Sequence, residues 1–372
     1  MERYSDPDRP YKYSYRSINH SVINAFYKRF WMPIAIRLVP EKASANLVSV
    51  IGDMGVWAVF LILSGLLLGP MNVVGRDRPW LFGICAFLLF FYHTMDNLDG
   101  YQARRTGQSG PLGEFVDHWF DSFNTFLIPL SLGLAFPVIP PLMVAITIFL
   151  CCLADWLSLR TTRNSGILVF GPVSSEEALF IAYAFFFAVW ITGYDWWTQP
   201  GFFGLPRAVI AYALPGIGFL ASIVMTFKSA GRPDLLAIMA SCIIPIFAWT
   251  IIGEWLLGST ATLVGCLLMG FSTARFSGDV MRDRLVGLEY RGFYPLLLVM
   301  DAFLLLSELV PGLPVWASSA VIAASFVGLA ISLAGQFGRT VWRVRETLGV
   351  GFFGPAVQGP KRAESAVGGG ED

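Results

Sequence analysis

DNLDGYQARRTGQSGPLGEFVDHWFD, residues 96–121, sets five carboxylates, two arginines and a histidine between two long apolar runs. Those runs, residues 80–100 and 112–134, are each long enough for a helix to cross a bilayer, which takes about 20 residues. The segment therefore reads as a short turn joining two antiparallel membrane helices, with its charges near the membrane surface.

Working outward, the same pattern recurs. Candidate spans fall at 46–69, 80–100, 112–134, 139–158, 174–192, 207–227, 234–256, 259–277, 291–309 and 314–336. The chain is 55% hydrophobic and 15% aromatic, with only 14% charged residues, where soluble domains carry about a quarter. The fold class expected is an all-α polytopic membrane protein of about ten transmembrane helices, with an N-terminal interfacial amphipathic helix. Net charge is zero, so no global basic balance points to nucleic acid. The five cysteines, Cys85, Cys151, Cys152, Cys242 and Cys266, sit in apolar runs without zinc or disulfide spacing and read as buried hydrophobes.

With ten spans, all of the 26 Lys and Arg residues except Arg76, Arg78 and Arg207 fall on the side of the termini. The positive-inside rule then puts both termini in the cytosol. The N-terminus lacks the apolar core of a cleaved signal peptide, so insertion is expected to use the first membrane helix. Four segments are expected. Residues 1–45 are a cytosolic and interfacial entry, 46–230 a catalytic helical core, 231–345 further transmembrane helices, and 346–372 a disordered tail.

At 100° per residue, Asp96, Asp99, Gly100 and Ala103 form one stripe at the end of the second span. Gly113, Asp117 and Asp121 form another at the start of the third. Face to face, the stripes bring four carboxylates together, and such a group needs a cation. Oxygen ligands without clustered His or Cys suit Mg²⁺ or Mn²⁺. Gly100, Gly113 and Ala103 let a bulky ligand approach the backbone, and Arg104, with Arg105 beside it, offers donors to phosphate. Together these describe a diphosphate site. A membrane prenyltransferase using Mg²⁺, or an ion path, would also use paired acids. The structural alternative for acids inside a span is a packed, neutralised pair.

The complete string Asp96-x2-Asp99-Gly100-x2-Ala103-Arg104-x8-Gly113-x3-Asp117-x3-Asp121 resembles the signature of the CDP-alcohol phosphotransferase family. YKYS (Tyr11 to Ser14), KRFW (Lys28 to Trp31), ANLVSVIG (Ala45 to Gly52) and ARRTGQSGPLGE (Ala103 to Glu114) are similar to the eukaryotic-type choline/ethanolamine phosphotransferases. The likeness is concentrated in residues 96–124. It implies transfer of phosphocholine or phosphoethanolamine from CDP-choline or CDP-ethanolamine to the hydroxyl of 1,2-diacylglycerol, with release of CMP. It also implies one or two Mg²⁺ or Mn²⁺ ions on Asp96, Asp99, Asp117 and Asp121. Gly100, Ala103, Arg104 and Gly113, with Asn46, would line the nucleotide pocket. For the general base the resemblance offers Asp121. Glu114 and His118, at i and i+4 on one helix, offer another, because a metal-bound aspartate is a poor base. His118 backed by Glu114 is the favoured reading, with Asp121 on the metal; His20 and His93 read as structural. Members of the family commonly form homodimers. The membrane would be endoplasmic reticulum or Golgi in a eukaryote and the inner membrane in a bacterium. A same-family enzyme with another alcohol or lipid acceptor is the alternative. Asp53, Asp155, Glu254, Asp301 and Glu308 are further acids in or near spans, without an assigned role.

Overall fold

The computed structural model describes residues 17–170, 175–227, 259–285 and 315–348, with residues 247, 250, 299, 302, 304, 306 and 352. The chain enters through α1 (Val22–Phe26), capped by Ser21, whose hydroxyl accepts from the Asn24 amide at 2.9 Å. The helical path continues through a π turn at Tyr27–Trp31 and a further turn at Met32–Ala35. Val22, Phe26, Phe30, Ile34 and Leu38, four residues apart, stay exposed as one apolar stripe. Tyr27, Met32 and Ala35 face inward and are buried. The segment is thus helical and amphipathic, as expected from the sequence.

Among the described residues, seven long helices follow α1's short path before the last: α2 (Ala45–Leu63), α3 (Trp80–Thr106), α4 (Pro111–Ala135), α5 (Pro141–Ser165), α6 (Ser175–Thr192), α7 (Arg207–Phe227) and α8 (Ser259–Leu285), then α9 (Val315–Leu348). Six of them, α2, α3, α5, α6, α7 and α9, contain stretches long and apolar enough to cross a membrane. The other two, α4 and α8, are diluted in hydropathy by the acids and arginines that they carry inward. The protein is an all-α polytopic membrane protein. The expected spans at 234–256 and 291–309 lie, isolated positions apart, outside the described residues, as do most of the expected tail and Cys242. The other four cysteines are buried and free of disulfides.

Several helices outrun their apolar stretches. α3 runs on to Thr106 rather than 100, α5 to Ser165 rather than 158, α8 to Leu285 rather than 277 and α9 to Leu348 rather than 336. Each extension carries arginines. Backbone i to i+4 bonding continues past the hydrocarbon edge, whereas a hydropathy pattern stops there. α3 and α5 then end on left-handed glycines, Gly107 (φ +67°) and Gly166 (φ +75°). Four residues separate α3 from α4, which starts with Pro111 at its first position. The sequence did not signal a short parallel pairing of Ser17–Asn19 with Leu168–Phe170.

α2 packs along α3 and α4, α8 lies against α4, α5 and α9, and α6 closes on α3. The approach of α2 to α3 depends on Gly52 and Gly55. A Cβ on Gly52 would stand 2.7 Å from Met95 Cβ, and one on Gly55 would stand 3.0 Å from the Leu88 carbonyl oxygen. The turn beyond α3 also anchors the entry segment. Buried Gln102 donates to the carbonyls of Pro40 (3.1 Å) and Ala43 (2.5 Å), and Arg105 donates to the Val39 carbonyl at 2.8 Å. Arg105 is thereby tied to the entry segment. Gln108 accepts from the Ala45 amide at 3.0 Å. On the other side His93, fully buried, lies 2.5 Å from Glu176 of α6 and stacks on Tyr27 at 4.3 Å between ring centres.

Gly52→Val is expected to force α2 off α3 and lower stability by about 1–3 kcal/mol. Thermal unfolding in detergent measures this, and a wild-type Tm would show that the two helices do not depend on that close approach.

Candidate active site

The α3–α4 hairpin and the α2 helix beside it bring the acidic stripes together. Across the hairpin, Tyr92 of α3 donates its phenol proton to Asp121 Oδ1 of α4 at 2.8 Å. Ser49 of α2 donates to Asp99 Oδ2 at 2.5 Å. Asp96 and Asp99 lie within electrostatic range of Asp117 and Asp121, and of each other. His118 Nδ1 stands 3.6 Å from Asp121 Oδ2 and 4.0 Å from Asp117 Oδ2. Asp117, His118 and Asp121 each turn a ligand atom into a space where these atoms lie within 4.8 Å of one another.

The donor set fits a hard divalent cation. Four carboxylates share a helical interior, and the hydrogen bonds given above to Asp99 and Asp121 come from neutral hydroxyls, which leave the negative charge in place. The Nδ1 of His118 turns toward Asp117 and Asp121, in the same cluster as the acids.

Two of the small residues face polar side chains, Gly100 beneath Arg104 and Gly113 beside Asn46. Arg104 lies over the Tyr101 ring, 4.8 Å from its centre. One of its guanidinium nitrogens is 3.5 Å from where Gly100 would carry a Cβ, so the arginine arches over a bare stretch of α3. Asn46, at the start of α2, comes opposite Gly113, its Oδ1 3.6 Å from that glycine's Cβ position. Its amide nitrogen donates to the Phe352 carbonyl at 2.8 Å. Ala103 follows on the same α3 stripe. Glu114 forms an ion pair with Arg284 of α8 and stays within electrostatic range of His118.

Other residues at the site were either not picked out from sequence or, like Asp53 and Asp155, noted there without a role. A cavity of about 190 Å³ begins at Tyr92, Asp96, His118 and Asp121 and continues past Asn124 and Asp155 to Ile128, Leu132 and Phe219. Asp155 of α5 accepts from Ser277 of α8 at 2.9 Å and from Ser122 at 3.4 Å. Asp53 of α2 accepts from the Asn124 amide at 2.6 Å. Tyr92, four residues before Asp96 on the same stripe, could have been found by extending the helical period. Asp155 and Ser277, 122 residues apart, have no local signal that links them.

A membrane-embedded helical hairpin with paired acidic stripes and small residues between them defines a class of site before any comparison. Residues 42–214, α2 to the first part of α7, match the family model described as CDP-alcohol phosphatidyltransferase. Choline/ethanolaminephosphotransferase 2 of Arabidopsis thaliana is 31% identical over 206 residues, 51% of this chain and 48% of that protein. Cholinephosphotransferase 1 of Saccharomyces cerevisiae is 38% identical over 117 residues, 31% of this chain and 28% of that protein. An uncharacterized CDP-alcohol phosphatidyltransferase class-I family protein 3 of Dictyostelium discoideum is 28% identical over 191 residues, 50% of this chain and 47% of that protein. The chain spans about half the length of the curated relatives it matches, or less.

Tyr92→Phe is expected to free Asp121 and raise the Mn²⁺ concentration for half-maximal thermal stabilisation by about tenfold, the usual cost of losing a group that orients a ligand. A metal titration followed by Tm measures it, and an unchanged midpoint would remove Tyr92 from this role.

Proposed function

We propose that this protein transfers phosphocholine or phosphoethanolamine from a CDP-alcohol to the hydroxyl of 1,2-diacylglycerol within a lipid bilayer, releasing CMP. The observation that carries the reading is that the matched family domain contains all four of the converging aspartates. The choline or ethanolamine alcohol is taken from what the Arabidopsis and Saccharomyces relatives are named for.

In this reading Asp96, Asp99, Asp117 and Asp121 hold one or two Mg²⁺ or Mn²⁺ ions. Bound there, such ions supply positive charge against the diphosphate and the departing CMP. Arg104 grips a phosphate oxygen over the bare backbone at Gly100 and Ala103, and Asn46 with Gly113 forms the far wall for the nucleotide. Ser49 and Tyr92 keep Asp99 and Asp121 in their rotamers. The acceptor hydroxyl attacks the phosphorus that carries the small alcohol. Its oxygen forms the new P–O bond while the P–O bond to CMP breaks and the electron pair leaves with CMP. The proton passes to His118. With Nδ1 turned to Asp117 and Asp121, Nε2 is the nitrogen we assign to it. Glu114, anchored by Arg284, adds negative charge that favours the protonated ring. The Lys and Arg distribution supports a cytosolic location of both termini and entry of the CDP-alcohol from that side.

The test is CMP release by the purified protein with Mg²⁺ or Mn²⁺, diacylglycerol and each CDP-alcohol in turn. Asp99→Ala and Asp117→Ala are expected to be inactive. His118→Ala is expected to lose about 10²–10⁴-fold in turnover while still binding nucleotide. Wild-type turnover in His118→Ala would remove it as the base. Release of pyrophosphate from a prenyl donor, with none of CMP, would replace the reading with a prenyltransferase. Undiminished CMP release in chelator would remove the metal.

A further inference from the structure

The loop between α6 and α7 is rigid at its base and bare at its tip. Tyr194 is buried where the loop leaves α6. Its hydroxyl donates to the Ala135 carbonyl at 3.1 Å, and its ring stacks on Phe136 with centres 4.8 Å apart. Asp195 accepts from Arg76 Nε at 2.6 Å, which ties the loop to the short helix Met71–Asp77. Arg207 donates to the Trp196 carbonyl at 2.9 Å and lies over the Trp196 ring, 4.2 Å from its centre. Beyond this base the chain closes a hairpin. The Arg207 amide donates to the Gln199 carbonyl at 3.1 Å, and the Gly201 amide to the Leu205 carbonyl at 2.7 Å. At the tip Phe203 is 100% exposed, Phe202 80% and Leu205 48%. Phe203 also has φ +59°, which is costly for a bulky side chain and which no other non-glycine residue adopts among the described residues. The hairpin thus keeps a strained backbone while turning two phenyl rings away from the protein.

Position and composition say what covers those rings. Ala135, the anchor of Tyr194, is the last residue of α4, whose 25 residues extend about 37 Å. The loop therefore lies at the opposite end of α4 from the acidic hairpin, far enough to cross a hydrocarbon core of about 30 Å. Residues 196–206 contain no charged side chain. The flanking helices both contain membrane-crossing stretches. Their exposed faces are apolar up to the loop, through Phe187, Trp190 and Ile191 on α6 and Leu214 and Ile217 on α7. The tip continues that lipid-facing surface, and aromatic rings favour the boundary between headgroups and chains. We propose that Phe202, Phe203 and Leu205 insert into the leaflet farther from the acidic hairpin, as a preformed interfacial anchor at the α6–α7 end of the protein. The braced base means that little conformational entropy is lost when the tip enters lipid. α6 and α7 also give Ala182, Tyr212 and Phe219 to the cavity wall, so the anchor bears on the two helices that shape it. The proposal stands independently of the transfer reaction.

The experiment reads depth by electron paramagnetic resonance on the full-length protein in phosphatidylcholine liposomes. Phe203→Cys and, in a separate protein, Phe202→Cys carry a nitroxide label. Wild-type protein taken through the same labelling supplies the background, with Cys85, Cys151, Cys152 and Cys266 buried. Ser109→Cys, exposed in the α3–α4 turn, is the water reference. Power saturation compares access of oxygen, which concentrates in the bilayer, with that of a water-soluble nickel chelate. The oxygen-to-nickel ratio at both tip positions is expected to be several-fold above that at Ser109. Phe203 packs on nothing, so its label leaves the fold intact, and Phe202 gives an independent reading. A ratio at the tip equal to that at Ser109 overturns the proposal, because the rings then stand in water. Low access to both reagents overturns it as well. With dipolar broadening between labels the tip is covered by a second copy, and without broadening by the protein itself.

Discussion

Four aspartates gathered inside a helical membrane protein form the constraint on which the rest of this structure depends. Like charges in a low dielectric repel strongly, and a bundle can hold them together only with rigid supports and with cations or protons that offset the charge. The supports are visible. Gly52 and Gly55 bring α2 close enough to α3 for Ser49 to reach Asp99. The four-residue turn after Thr106 holds α4 antiparallel to α3, so that Tyr92 reaches Asp121. Packing that would be ordinary elsewhere here sets the distances between charges.

The same constraint explains the shape of the cavity. Its charged end opens at the hairpin, and its lining becomes apolar as α4 continues through Ile128 and Leu132. A ligand with a polar head and a greasy tail matches this gradient. The polar groups Asn124 and Asp155 line the cavity between its charged and apolar ends.

Much of this was legible in the sequence, because the information was local. Asp96, Asp99, Gly100, Gly113, Asp117 and Asp121 follow the helical period, so their stripes could be drawn without coordinates. Asn46 was reached only through the family resemblance, and the structure sets it against Gly113. What was hidden is non-local. Glu114 meets Arg284 across 170 residues. Asp155 and Ser277 are joined only by the packing of α5 on α8. Helix ends were misjudged by a turn or more at α3, α5, α8 and α9, because arginines end an apolar run without ending a helix. The two-strand pairing of Ser17–Asn19 rests on three residues of no distinctive pattern.

The clasp between the entry segment and α3 has a mechanical consequence. The outward stripe of Val22, Phe26, Phe30, Ile34 and Leu38 suits the headgroup layer, while Gln102 and Arg105 grip the backbone at residues 39–43 just behind it. Gln102 sits about one turn, and Arg105 nearly two turns, past Asp99 on the same helix. Lateral pressure in the lipid around the stripe therefore acts, through a few backbone carbonyls, on the rod that carries half of the acids, which couples bilayer composition to the geometry of the chemistry.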